Sequence, residues 1–240
     1  MTSAIVGSQR RAARMAGLAY LLSFAIVVSV NFGIFTRLIV GADPTLTARN
    51  ILAHETLFRA GLAGAVFYSI AVLCVSAALY VVLSPVDQLL ALLAALGRLA
   101  HAFTWLLITV NLFTALRLVS RPEYAHAFTP EQIPWLAQPY LSGFDQYYVG
   151  LLFWSLSGAV GAYLWLKSGY IPRALAGFGI VASIWCAACT VVLYLFPDFP
   201  KVVNLWWFDT PMGLFEIALS FLLLFRGPRM ASPAGQEQPA

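Results

Sequence analysis

Charge is what this chain has least of. Only 24 of its 240 residues are Lys, Arg, Asp or Glu, about 10%, against the ~25% of an ordinary soluble domain. So few charges cannot cover a water-facing surface of this size, which excludes a soluble enzyme or a soluble binding domain. Cysteine is scarce as well. Cys74, Cys186 and Cys189 all lie inside apolar runs, so no disulfide framework is indicated. The three histidines, His54, His101 and His126, are dispersed. They form neither a zinc cluster nor a haem pair, and His54-Glu55 lacks the H-E-x-x-H spacing. The sequence also lacks G-x-S-x-G, a P-loop and G-x-G-x-x-G, and with them the usual signatures of acyl, phosphoryl and dinucleotide chemistry. Neither a cofactor nor a metal is expected. Net charge is +4, yet no basic run exceeds Arg10-Arg11, so nucleic acid is not an expected partner.

What the chain has in abundance is hydrocarbon. Hydrophobic residues make up 61% of it and mean hydropathy is +0.82. A helix that crosses ~30 Å of lipid needs ~20 mostly apolar residues. Six stretches qualify: Met15–Phe35, Ala60–Leu83, Leu89–Leu116, Tyr147–Leu166, Ala174–Phe196 and Leu205–Phe225. The expected fold is therefore all-α, a polytopic transmembrane helix bundle forming one domain over residues 15–226. It is flanked by an N-terminal segment, 1–14, and a Pro- and Gln-rich tail, 227–240, that reads as disordered. The first stretch exceeds the ~7–15 apolar residues of a signal peptide, so it reads as a retained span. In the sixth, Asp209-Thr210-Pro211 reads as a helix cap, with Trp206-Trp207 resting at the interface. Ser84–Gln88 and Lys167–Arg173 are tight turns, whereas Thr36–Arg59 and Arg117–Gln146 are long connections on the opposite side. The basic cluster Arg10, Arg11 and Arg14 places both termini in the cytoplasm. The expected location is the cell membrane, in multi-pass form.

Several stretches together resemble one family. These are Met15-Ala16-Gly17-Leu18-Ala19-Tyr20-Leu21, Thr47-Ala48-Arg49-Asn50-Ile51 and Glu55-Thr56-Leu57-Phe58-Arg59. Leu79-Tyr80, Pro85-Val86-Asp87, Leu90-Ala91-Leu92-Leu93 and Arg98-Leu99 continue the pattern, as do Ser168-Gly169-Tyr170-Ile171-Pro172-Arg173 and the Glu216 helix ending at Arg226-Gly227. On these residues the chain resembles a bacterial membrane family known as domain of unknown function 4386, over most of residues 14–227. The resemblance implies fold and location and carries no activity.

An ionisable group at membrane depth is costly unless paired or hydrated, so it marks a candidate site. Arg98 and His101 lie one turn apart on the third span, on one stripe with Trp105. Helical rise brings Glu216 of the sixth span to the same depth as His101. Glu55 and Arg59 form an i,i+4 pair at the start of the second span, bordered by His54 and Asp209. Arg98, His101, Glu216, Glu55, Arg59 and Asp209 are the candidate ligand-binding residues, with Glu216 and His101 the candidate acid or base. The plainer alternative is an Arg98–Glu216 ion pair that only holds helices together. Cys186-Ala187-Ala188-Cys189 puts two thiols on one helix face, but it has no second pair to exchange electrons with and reads as packing.

Three functions stay open. The first is a non-enzymatic envelope protein, sensing or supporting, with a structural polar cluster. The second is a small intramembrane enzyme acting on a lipid or isoprenoid, with Arg98 holding an anionic head group. The third is a minimal transporter, disfavoured because no internal repeat is visible. Membrane lipids are the expected partners. A lipid or isoprenoid ligand and a homo-oligomer remain open.

Overall fold

A computed structural model describes residues 2–121, 128–142, 145–196, 198–204 and 206–228, the side chains of residues 2–6, 145, 146, 200 and 206 apart. His126, Leu205 and residues 229–240 of the tail lie outside the described residues. The described residues are predominantly helical and include no strand. Six helices are long and apolar enough to cross a membrane: Gly7–Leu38, Glu55–Leu83, Gln88–Ser120, Tyr147–Ser168, Arg173–Leu195 and Trp207–Arg226. They are the first to sixth spans below.

The reason for six spans is the one read from the sequence: each window is apolar and nearly free of charge. The helices outrun the expected ends because helix propensity continues past the lipid. The first helix begins at Thr2, and the alanine-rich stretch around Ala12, Ala13 and Ala16 carries it straight into the span. Asp87 caps the third span, its Oδ1 accepting from the Leu90 N–H at 3.1 Å. Gly169 has a φ of 65°, the left-handed conformation that closes the fourth span and favours glycine.

Each span packs on the spans before and after it, and the sixth packs on the first, closing a ring. One face of the ring carries the tight turns, joined by Lys167 Nζ to Asp87 Oδ2 at 3.3 Å. The other face carries the long connections. These are not plain loops as expected. Each contains a ten-residue helix, Pro44–Ala53 and Gln132–Leu141. The first of these has a sequence signature, since Asp43 Oδ1 accepts from the Leu46 N–H at 2.9 Å with Pro44 at the opening position. Ile51, Ala137 and Leu141 from the two helices join Phe35, Phe58, Trp105 and Leu116 in one buried core, so the loop face is roofed by protein.

The sixth span departs from expectation at its start. No cap forms at Asp209: the helix begins at Trp206 and Pro211 lies inside it. Proline there cannot donate to the Trp207 carbonyl four residues back, and an orphaned carbonyl in lipid costs several kcal/mol. Trp185 of the fifth span supplies the donor instead, its Nε1 lying 2.6 Å from the Trp207 oxygen. That borrowed bond lets the helix start a turn earlier and frees the Asp209 carboxylate for another use.

Candidate functional site

The ring encloses a line of polar and aromatic side chains drawn from five spans. At its centre Arg98 Nη2 lies 2.6 Å from Glu216 Oε1, with side-chain exposures of 7% and 15%. Trp154 of the fourth span donates its Nε1 to the same oxygen at 2.8 Å. Arg98 also sits over the Tyr20 ring of the first span, 5.1 Å from its centroid, a cation–π contact. The guanidinium is thus held by a carboxylate on one side and an aromatic face on the other. Such pairing makes a buried charge tolerable at this depth.

His101 is fully engaged. Its Nδ1 lies 3.0 Å from the Gly150 carbonyl, and its Nε2 lies 3.0 Å from the Tyr68 hydroxyl. A carbonyl can only accept, so Nδ1 carries the proton; in the neutral ring Nε2 then accepts from the Tyr68 O–H. The ring also stacks on Trp154, with centroids 5.9 Å apart and planes at 23°. Glycine at position 150 is required by this approach. A Cβ there would run into Thr104 Oγ1 and come within 3.1 Å of the imidazole. Trp154 therefore links the two candidate groups, touching His101 with its face and Glu216 with its edge.

Around this centre opens a cavity of about 440 Å³. A Cβ on Gly17 would lie 2.7 Å from the Ser220 carbonyl oxygen, so the first and sixth spans touch backbone to backbone near the turn face. The cavity lies on the loop side of that crossing, lined by residues between 20 and 36 of the first span and between 209 and 217 of the sixth. Phe24, Val28 and Phe32 of the first span and Leu214 of the sixth line it while remaining exposed on the outer surface. It therefore abuts the lipid-facing side of the protein. Tyr68, His101, Trp105, Tyr147, Trp154 and Glu216 form its inner wall. A π-helical turn, Asn31–Phe35, contributes Asn31 and Phe32 near the loop face. Asn31 Oδ1, Tyr20 Oη and Trp105 Nε1 are buried in the wall with no hydrogen-bond partner among the described residues.

The six candidate residues separate into three places. Glu216 and His101 line the cavity. Asp209 lines it nearer the loop face, where its Oδ2 accepts from the Tyr147 hydroxyl at 2.6 Å. Tyr147, the first residue of the fourth span, points inward to make that bond. Arg98 does not line this cavity; it faces a separate void of about 10 Å³, no larger than a water molecule needs. Glu55 and Arg59 pair at 2.6 Å on the exposed start of the second span, away from the cavity lining. Cys186 and Cys189 are buried free thiols in the fifth span. Among the described residues no group of three metal-ligating side chains gathers anywhere.

Trp154, Tyr68, Tyr20 and Gly150 belong to the site and were not singled out by the sequence. The usable signal was position: Trp154 and Tyr68 stand in mid-span, away from the interfaces where Trp and Tyr normally sit. A polar-tipped aromatic at that depth needs an internal partner.

The family model described as Domain of unknown function (DUF4386) matches residues 15–227. The chain belongs to this family. The match contains every residue of the cavity wall and all six spans except the first turns of the first. No curated protein and no solved structure matches the chain. It is an integral membrane protein of uncharacterised activity.

Proposed function

We propose that this protein is a non-enzymatic envelope protein that binds a membrane-dissolved small molecule in the cavity between its first and sixth spans, in a sensing or supporting role. The observation that carries this is the cavity, which is of the size that takes a drug-sized ligand. It borders the lipid-facing surface and is walled by aromatics with a few convergent polar groups. Its border with the lipid-facing surface, at Phe24, Val28, Phe32 and Leu214, gives a ligand its route from the bilayer.

The paired state of the centre argues against acid–base catalysis. Both His101 nitrogens are committed, and Glu216 is held at Oε1 by Arg98 and Trp154, which leaves only its Oε2 without a bond among the described residues. A general acid or base needs a free position facing its substrate. The alternative of an intramembrane enzyme on a lipid or isoprenoid keeps one support, since Glu216 borders the cavity. An Arg98 grip on an anionic head group loses support, because Arg98 faces away from it. Transport would need a route to both faces, and the close Gly17 crossing opposes one. The proposed location is the cell membrane, and the basic cluster Arg10, Arg11 and Arg14 supports both termini being cytoplasmic. Membrane lipids are the proposed surroundings, and a homo-oligomer is compatible with the apolar outer surface.

The reading is tested by native mass spectrometry of gently extracted protein, wild type against Val28→Trp, which fills the cavity from its outer wall. A copurified small molecule present on the wild type and absent from the variant supports the proposal. A wild type that carries none, or a variant that keeps it, overturns it.

A further inference from the structure

We infer that the cavity ligand is an amphipathic organic cation, an amine or quaternary ammonium or phosphonium centre carrying apolar groups. This rests on the binding role proposed above and names its chemistry. Seven of its residues are aromatic: Tyr20, Phe24, Phe32, Tyr68, Trp105, Tyr147 and Trp154. Two are carboxylates, Asp209 and Glu216, and no Lys or Arg is among them.

The two carboxylates differ in their pairing. Arg98 compensates Glu216 from behind, outside the cavity. Asp209 has no cationic partner among the described residues; its bond is to the neutral Tyr147 hydroxyl. The cavity therefore presents one uncompensated carboxylate among aromatic side chains, of which Tyr20 already faces Arg98 and Trp154 already stacks on His101. Aromatic faces are negative at the ring centre and attract a cation, most strongly when water is excluded. An apolar cation gains from the carboxylate, from the rings and from transfer of its hydrocarbon out of water.

The same lining disfavours the opposite charge. An anionic or phosphate head group would lie beside Asp209 and Glu216 with no guanidinium or ammonium to meet it. Orientation follows as well. Asp209 lies near the loop face, so the cationic centre sits toward that face with its apolar groups between Phe24, Val28 and Leu214.

The test uses two probes of nearly equal size and opposite charge, tetraphenylphosphonium and tetraphenylborate. Each is titrated into the purified full-length protein in an uncharged detergent, read by quenching of tryptophan fluorescence and by equilibrium dialysis. The phosphonium should bind saturably and the borate about tenfold more weakly or not at all. Asp209→Asn should weaken the phosphonium about tenfold and narrow the gap between the probes, with its helicity and melting measured alongside. Val28→Trp should abolish saturable binding of both. Borate binding as tight as phosphonium, or an unchanged affinity in a folded Asp209→Asn, overturns the inference. If a copurified molecule is displaced by Val28→Trp while the phosphonium fails to bind, the cavity role stands and the cation is wrong. If Val28→Trp alters neither, both fail together.

Discussion

Two ion pairs in this protein share one distance and little else. Arg98 meets Glu216 at 2.6 Å, and Arg59 meets Glu55 at 2.6 Å. The first joins the third and sixth spans across the ring interior, with 7% and 15% of the two side chains exposed. The second joins neighbours one turn apart on one helix, with 44% and 37% exposed. Distance cannot rank them. In water the Coulomb energy of such a contact is about 1 kcal/mol and is offset by side-chain entropy and screening. In the ring interior the attraction is far stronger, but so is the cost of removing either charge from water. The buried pair is therefore a constraint more than a source of stability: neither member can be lost alone.

That asymmetry can be broken directly. Arg98→Met leaves the Glu216 carboxylate facing Trp154 with no cation, and should destabilise the fold by about 3–5 kcal/mol, read as loss of helicity on denaturation in detergent. The double variant Arg98→Met with Glu216→Gln removes both charges and keeps the Trp154 donor an acceptor. It should recover most of the loss. A double variant as unstable as the single would show that the pair itself stabilises the ring. A smaller effect is expected from the close crossing of the first and sixth spans at Gly17. Gly17→Leu drives a side chain against the Ser220 carbonyl and the Leu224 amide, both backbone atoms that cannot turn aside. Overpacking of this kind costs about 1–3 kcal/mol. It should also make Glu216 accessible to a water-soluble carbodiimide, turning the buried pair toward the behaviour of the exposed one. Unchanged melting and unchanged labelling would show that the crossing does not shield Glu216.

The two pairs also mark how far the sequence could be read. Six spans followed from hydropathy because lipid imposes one simple requirement on every residue of a window. The Glu55–Arg59 pair followed from helical spacing alone. Arg98 and Glu216 could be placed at one depth by counting rise along each helix, but depth says nothing of azimuth. Whether they face each other depends on the ring closing between the first and sixth spans, which is a tertiary fact. The same limit hid Tyr68, Trp154 and Gly150, whose roles exist only across helix boundaries. Asp209 was expected both as a helix cap and as a candidate ligand-binding residue on the long-loop side; the cap does not form, and the residue lines the cavity. The borrowed Trp185 bond that displaces the cap comes from the neighbouring helix and leaves no local trace. The helix Pro44–Ala53 was legible in Asp43-Pro44; a long connection obscured it.

The exposed side of the comparison predicts small numbers, and these sharpen it. Glu55→Gln removes an i,i+4 pair on an exposed helix start and should cost only about 0.3–0.5 kcal/mol, less at high salt. A loss comparable to Arg98→Met would mean that exposure is the wrong variable. The smallest neutral-pH effect belongs to the turn face, where Asp87 is bound to Lys167 at 3.3 Å and caps the third span. The Leu90 amide, and after it Lys167, holds its carboxyl below the usual carboxylate range. A carboxyl with a lowered folded-state pKa contributes stability that is complete above the ordinary range, about pH 4, and is lost as pH falls through the folded value. Asp87→Asn retains a good cap but cannot titrate. Near neutral pH it should melt slightly below the wild type. Below pH 4 the wild type should lose stability toward the variant, so the difference between their melting temperatures shrinks with acid. A difference that stays constant down to pH 2 would mean that the Asp87 charge contributes nothing and that the turn is held by the cap alone.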